Sequence, residues 1–128
     1  ELFNEVAMKH FLLQNKLSEQ SNKIMFVDSE AIITQYYHSV YFGYKSKFIE
    51  GIIDLQQFDL YLFLEPDVEW VGDGIRFLQN DRNFENDKLK LMLDKRNIKY
   101  VTISGNYTDR LKQAKKIVNK QILKKEGE

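Results

Sequence analysis

Residues 59–77 read DLYLFLEPDVEWVGDGIRF, and their first half decides the fold. Residues 60–64 are an unbroken apolar run, short and rich in aromatic side chains. A run of that length closed by turn formers reads as a strand buried on both faces, the kind found inside a parallel sheet. Glu65 and Pro66 close it, because proline has no N–H with which to continue a ladder. Beyond it lie Asp67, Glu69, Trp70, Gly72, Asp73, Gly74 and Arg76. A buried strand that empties into acids, an aromatic ring and glycine is where α/β proteins place ligands.

Outward from that strand, residues 23–28 (KIMFVD) form a second short apolar run ending in an acid, and residues 99–104 (KYVTIS) a third. Apolar residues at helical spacing predict helices over 2–17, 29–41, 48–57, 83–97 and 107–125, with one further helical turn around 75–78. Ser29 is the expected cap of the second helix and Gly43 its stop. Strands alternate with helices, so the expected class is α/β, a single domain over residues 1–128 with a parallel sheet. The three strands end in Asp28, Glu65 and Ser104, and a parallel sheet gathers those ends on one edge.

Composition narrows the function. The 128 residues are 43% hydrophobic, with nine Phe and seven Tyr, which suffices for a core. Nineteen basic side chains balance nineteen acidic ones, which argues against a chain whose main task is neutralising nucleic-acid phosphates. No apolar run approaches a membrane span. Cysteine is absent, which removes disulfides and thiolate metal sites and fits a cytoplasmic setting. His10 and His38 have no ligand partners at metal spacing and read as structural. Seven Lys or Arg decorate the last helix from Arg110 on, either as a solvated face or as an anion-binding surface.

Several residues could carry chemistry, each with a plainer reading beside it. Asp28 at a strand end suits a hard cation that wants oxygen ligands, and equally suits a helix cap or a turn. Trp70 in a polar loop is either a core anchor or a stacking platform for a flat cationic ring. Asp73 before Gly74 forms an Asp-Gly turn or accepts hydrogen bonds from sugar hydroxyls. Arg76 and Arg82 are ordinary loop charge or groups that neutralise a transferring phosphoryl.

Two stretches taken together, LEPDVEWVGDGIRF (64–77) and DSEAIITQYYHSVYFG (28–43), resemble the ribosylnicotinamide kinase domain of NadR-type proteins. That family follows a strand-terminal acid with Val-Glu/Pro-Trp-Val, Asp-Asp-Gly and a basic residue. It also carries Asp-Thr-Asp, a Thr, spaced aromatics and a Gly. The resemblance implies a parallel-sheet, phosphate-loop NTPase-like kinase fold that is incomplete here, this chain being its C-terminal portion. It implies ATP and Mg²⁺ as cofactors, and phosphorylation of the 5′-hydroxyl of nicotinamide riboside to nicotinamide mononucleotide, in NAD biosynthesis or salvage. Asp28 would then hold Mg²⁺, directly or through water, and orient the acceptor hydroxyl, with Glu30, Thr34 and Tyr36 facing the same pocket. Trp70 and Tyr107 would sandwich the nicotinamide, Asp73 would meet the ribose, and Arg76 and Arg82 would sit in a lid over residues 72–84.

The chain departs from that pattern in three places. Gly72-Asp73 stands where the family has two consecutive Asp. Residues 77–81, FLQND, follow Arg76 where a Gly is more usual. No glycine is followed by lysine, so the phosphate loop GxxxxGK[ST] is absent. The resemblance places that loop before Glu1, and a chain that opens in mid-helix with Glu rather than Met carries the same expectation. A fused adenylyltransferase or DNA-binding domain upstream is a further expected partner. Two rival readings stand: a nucleoside or nucleotide kinase with another acceptor, and a pyridine-nucleotide-sensing module without catalysis. In the kinase arrangement the strand feeding the phosphate loop lies between residues 24–28 and 61–64. Those two segments should therefore be parallel, unbonded and roughly 10 Å apart, with 61–64 pairing with 100–103 instead.

Overall fold

The structure, a computed structural model, describes residues 2–21, 24–66 and 79–123, and within them all side chains except those of 79–83. The chain divides into two compact units, Glu1–Gln57 and Phe58–Glu128.

The first unit is three mutually packed helices, α1 (Leu2–Gln20), α2 (Ala31–Phe42) and α3 (Lys47–Leu55). The shortest shows most plainly why it forms. Ser46 caps α3, its hydroxyl accepting from the Ile49 N–H, and Ile49, Ile52 and Ile53 follow at helical spacing on one buried face. Burying each such side chain contributes about 1.5–3 kcal/mol. They share the core with Ala7 of α1 and Ala31, Ile32 and Tyr36 of α2.

A polar knot crosses this core. Gln35 is 0% exposed; its Nε2 donates to the Ser46 carbonyl at 2.9 Å and to Glu50 Oε2 at 2.7 Å, while its Oε1 accepts from Ser46 N at 3.0 Å. Ser46 Oγ in turn donates to Asn4 Oδ1 of α1 at 2.7 Å, so a buried amide is satisfied and all three helices are tied at one point. His38 is buried among Phe3, Phe42 and Tyr44, and its Nδ1 donates to the Tyr44 carbonyl at 3.0 Å. Gly43 stops α2 in the left-handed region (φ 81°), its N–H returning to the Ser39 carbonyl at 2.8 Å.

The second unit is a strand–helix–strand–helix run: β1 (Leu62–Leu64), α4 (Gln79–Lys95), β2 (Val101–Ile103) and α5 (Tyr107–Val118), the last continued by a π turn, Asn119–Leu123. β1 and β2 are parallel, in the register Leu62↔Val101, Phe63↔Thr102 and Leu64↔Ile103, which is the pairing expected for 61–64 and 100–103. The ladder runs on at both ends through Val101 N to the Tyr61 carbonyl and Glu65 N to the Ile103 carbonyl. α4 is the crossover that a parallel pair requires. It ends in a Schellman motif: Asn97 is left-handed (φ 59°), Ile98 N donates to the Leu93 carbonyl and Asn97 N to the Asp94 carbonyl. Phe63, Leu93, Ile103 and Val118 are buried. The fold class is α/β, and among the described residues no helix is long and apolar enough to cross a membrane.

The structure corrects three expectations. Residues 24–28 form no strand: among the described residues the sheet contains β1 and β2 alone, and Phe26 is 71% exposed. An apolar run qualifies a segment for a ladder, but the ladder itself needs a neighbour's N–H and C=O groups. β1 is not buried on both faces, since Phe63 is buried while Leu64 is 59% exposed; among the described residues β1 has one ladder partner, not two. Glu30, not Ser29, caps α2. The expected turn at 75–78 lies outside the described residues.

Candidate functional site

In the first unit residues 24–27 have no regular secondary structure, and the chain bends at Asp28 and Ser29 before entering α2. A cleft of about 280 Å³ lies between one face of α1, carrying His10, Leu13, Gln14 and Leu17, and residues 25–29. Those four positions fall at i, i+3, i+4 and i+7, so helical geometry alone puts them on one stripe. Asp28 lines the cleft and is exposed. Ser29, next to it, has φ 63°, a conformation that costs a non-glycine residue of order 1–3 kcal/mol and recurs at ligand sites.

The corner's hydrogen bonds settle what Asp28 does not do. Glu30 Oε2 accepts from Ile32 N at 3.0 Å and its Oε1 from Ile33 N at 3.3 Å. Gln56 Oε1 accepts from Ala31 N at 3.0 Å, and Gln56 Nε2 donates to Glu30 Oε2 at 2.8 Å. Thr34 N donates to the Glu30 carbonyl at 3.3 Å. All four N–H groups that open α2 therefore have acceptors, and none is left for Asp28. The helix-cap reading of Asp28 is excluded, and among the described residues its carboxylate has no side-chain partner.

In the second unit the C-terminal ends of β1 and β2 are held together from α5. Arg110 donates from Nη2 to the Glu65 carbonyl at 2.5 Å and from Nε to the Gly105 carbonyl at 2.7 Å. Gln113 Nε2 donates to the Ser104 carbonyl at 2.6 Å, and its Oε1 accepts from Ser104 N at 3.3 Å. Gly105 (φ 98°) makes the corner; a Cβ there would lie 3.2 Å from Asp109 Cβ. Asn106 caps α5 by accepting from Asp109 N at 2.9 Å. Glu65, the acid at the end of β1, pairs with Lys90 Nζ of α4 at 2.5 Å, and that bond raises the Lys90 pKa above its ordinary 10.5.

The predicted site residues distribute as follows. Asp28 sits at the cleft of the first unit. Tyr36 is on α2, 4% exposed and edge-on to Tyr37 at 5.2 Å between ring centroids; it does not line that cleft. Glu30, expected to face the same pocket, is committed to capping α2. Tyr107 opens α5 in the second unit, with its side chain 79% exposed. Trp70, Asp73 and Arg76, and most of the expected lid over 72–84, lie outside the described residues, as does the Arg82 side chain. Sequence reasoning missed Gln56, Lys90, Arg110 and Gln113. Arg110 and Gln113 stand within ten residues of a strand end, the only local signal for them; Gln56 and Lys90 had none.

Among the described residues no three His, Cys, Asp or Glu side chains cluster as a metal cage. An exposed carboxylate with no side-chain partner among the described residues, that of Asp28, nevertheless fits Mg²⁺, which keeps its waters and is held by one or two carboxylates with substrate phosphates.

Residues 2–110 match the AAA domain family. The trifunctional NAD biosynthesis/regulator protein NadR of Salmonella typhimurium (strain LT2) is 29% identical over 128 residues, covering 98% of this chain and 31% of that protein. The protein of the same name from Escherichia coli (strain K12) is 28% identical over 123 residues, covering 94% of this chain and 30% of that protein. The chain thus spans less than a third of the length of these curated relatives. A sequence similar to NadR runs over nearly the whole chain, and with the family match covering residues 2–110 the chain belongs to the AAA domain family.

Proposed function

We propose that this chain is the acceptor, metal and lid portion of a single phosphate-loop kinase domain that phosphorylates the 5′-hydroxyl of nicotinamide riboside in NAD biosynthesis, in the cytoplasm. The phosphate loop that binds ATP is contributed by residues outside this sequence. The observation that carries the reading is Asp28: an exposed carboxylate that has no side-chain partner among the described residues, beside a strained residue, within a stretch similar to NadR. Bound there, Mg²⁺ would neutralise charge on the nucleotide phosphates. Asp28 would hold that cation through its carboxylate, directly or through water, and orient the acceptor hydroxyl. Trp70 and the exposed Tyr107 flank the cationic ring, Asp73 accepts from the ribose, Tyr36 supports the pocket wall from within α2, and Arg76 and Arg82 close over the phosphates from a lid spanning 72–84. Such transfer is mostly positioning and electrostatics, so each part acts only in the assembled domain.

The test is a panel of ribosides offered with ATP to the full-length protein. Nicotinamide riboside should give the highest kcat/KM, because only its ring carries the positive charge that aromatic faces favour. Preference for an uncharged nucleoside would replace the acceptor and keep the kinase. The departure at Gly72 favours one second reading, a pyridine-nucleotide-sensing module beside a fused adenylyltransferase or DNA-binding domain. Tight riboside or dinucleotide binding with no phosphate transfer would select it.

A further inference from the structure

The corner that carries Asp28 is braced by two residues with no chemistry of their own in the proposed reaction. We propose that Glu30 and Gln56 are positioning residues for Asp28, an inference that rests on the kinase reading above. The reasoning starts from competition. An aspartate next to a helix start is among the best helix caps, and an uncapped α2 would draw the Asp28 carboxylate onto its own N–H groups. Glu30 takes the donors of Ile32 and Ile33, and Gln56, reaching from beyond the end of α3, takes that of Ala31. The two side chains are locked to each other by the 2.8 Å bond from Gln56 Nε2 to Glu30 Oε2. With every opening donor of α2 filled from elsewhere, the Asp28 oxygens remain for a ligand. The brace also holds the backbone on the far side of Ser29, whose φ of 63° persists only if its surroundings over-determine it.

A second consequence concerns anions. A free helix N-terminus is a ready phosphate site, but that of α2 already holds a carboxylate of its own chain. Substrate phosphates are therefore met by groups other than the α2 N-terminus.

The pair can be tested by exchange of its members in the full-length protein. Gln56→Glu sets two carboxylates 2.8 Å apart and removes the donor between them. The double variant Glu30→Gln/Gln56→Glu restores one amide facing one carboxylate and keeps acceptors for Ala31 and Ile33, losing only that of Ile32. Two readouts apply: riboside phosphorylation kinetics, and hydrogen exchange at the amides of residues 31–34, which does not depend on activity. Gln56→Glu should speed exchange there and lower kcat by roughly 10–100-fold with the riboside KM unchanged, as loss of a supporting partner typically does. The double variant should recover both readouts toward wild type. Should Gln56→Glu not fold, Gln56→Met removes both bonds without adding a charge and is judged by the same readouts. Wild-type kcat despite lost protection, or a double variant no better than the single one, overturns the inference while leaving the kinase reading intact. Asp28→Asn is measured alongside: full transfer by that variant would sink the kinase reading and the positioning role together.

Discussion

Arg110 on α5 donates a hydrogen bond to the backbone carbonyl of Glu65, the residue that ends β1. The same guanidinium reaches the Gly105 carbonyl beyond β2, so one fork spans both strand ends. Two parallel strands of three residues each make few ladder bonds, and this clamp adds to them at the C-terminal edge of the pair. Arg110→Ala should destabilise the full-length protein by about 1.5–3 kcal/mol, the usual worth of hydrogen bonds to a charged group. Arg110→Lys should recover less than half, because an ammonium cannot reproduce the fork. Urea denaturation measures both; equal stability of Arg110→Ala and wild type would show that the clamp is ornamental.

The Glu65–Lys90 pair gives a pH signature with a definite sign. Its hydrogen bond raises the Lys90 pKa above 10.5, so the folded state holds the proton more tightly than the unfolded chain does. The stabilisation is complete below pH 10.5 and is lost as pH rises through the higher folded value. Lys90→Met should therefore cost less than about 1 kcal/mol at neutral pH and flatten the alkaline end of the stability curve. An unchanged alkaline slope in the variant would assign that slope to other groups.

Two glycines should respond to alanine with opposite signs. Gly105 has φ 98° and its added Cβ would press on Asp109, so Gly105→Ala should destabilise by about 1–3 kcal/mol. Gly51 lies exposed within α3, with nothing within 4 Å of an added Cβ. Gly51→Ala should stabilise by about 0.5–1 kcal/mol through helix propensity alone. Thermal melts of the two variants should move in opposite directions.

What could be read from the sequence was what local chemistry dictates. Gly43 stops α2 and the chain turns at Asn97 because left-handed corners select those residues, and the pairing of 61–64 with 100–103 followed from the strand arrangement that the kinase resemblance implies. What could not be read depends on partners distant in sequence. Residues 24–28 are as apolar as β1, yet a strand is made by its neighbour, which local composition does not report. Ser29 is the better cap by residue type, and Glu30 wins because Gln56, twenty-five positions beyond Ala31, shares the donors with it. Asp28 stood out as an acid closing an apolar run, although that run is not a strand; that it has no side-chain partner among the described residues became visible only once those donors were counted.

The proposed roles of Asp28 and Trp70 predict different kinetic defects in the full-length protein. Asp28 serves the charge that develops during transfer, so Asp28→Ala should lower kcat by roughly 10²–10³-fold with little change in riboside KM. Trp70 serves a ring that is equally cationic before and during transfer, so its contact is uniform binding. Trp70→Ala should raise the riboside KM and leave kcat nearly unchanged. A cation–π contact of about 0.5–2 kcal/mol corresponds to roughly 2–30-fold in KM. An uncharged riboside, where accepted, should lose less on Trp70→Ala than nicotinamide riboside does. Steady-state kinetics with the two acceptors separates the cases: parallel, modest losses in every parameter for both variants would mean that neither residue has the role assigned to it.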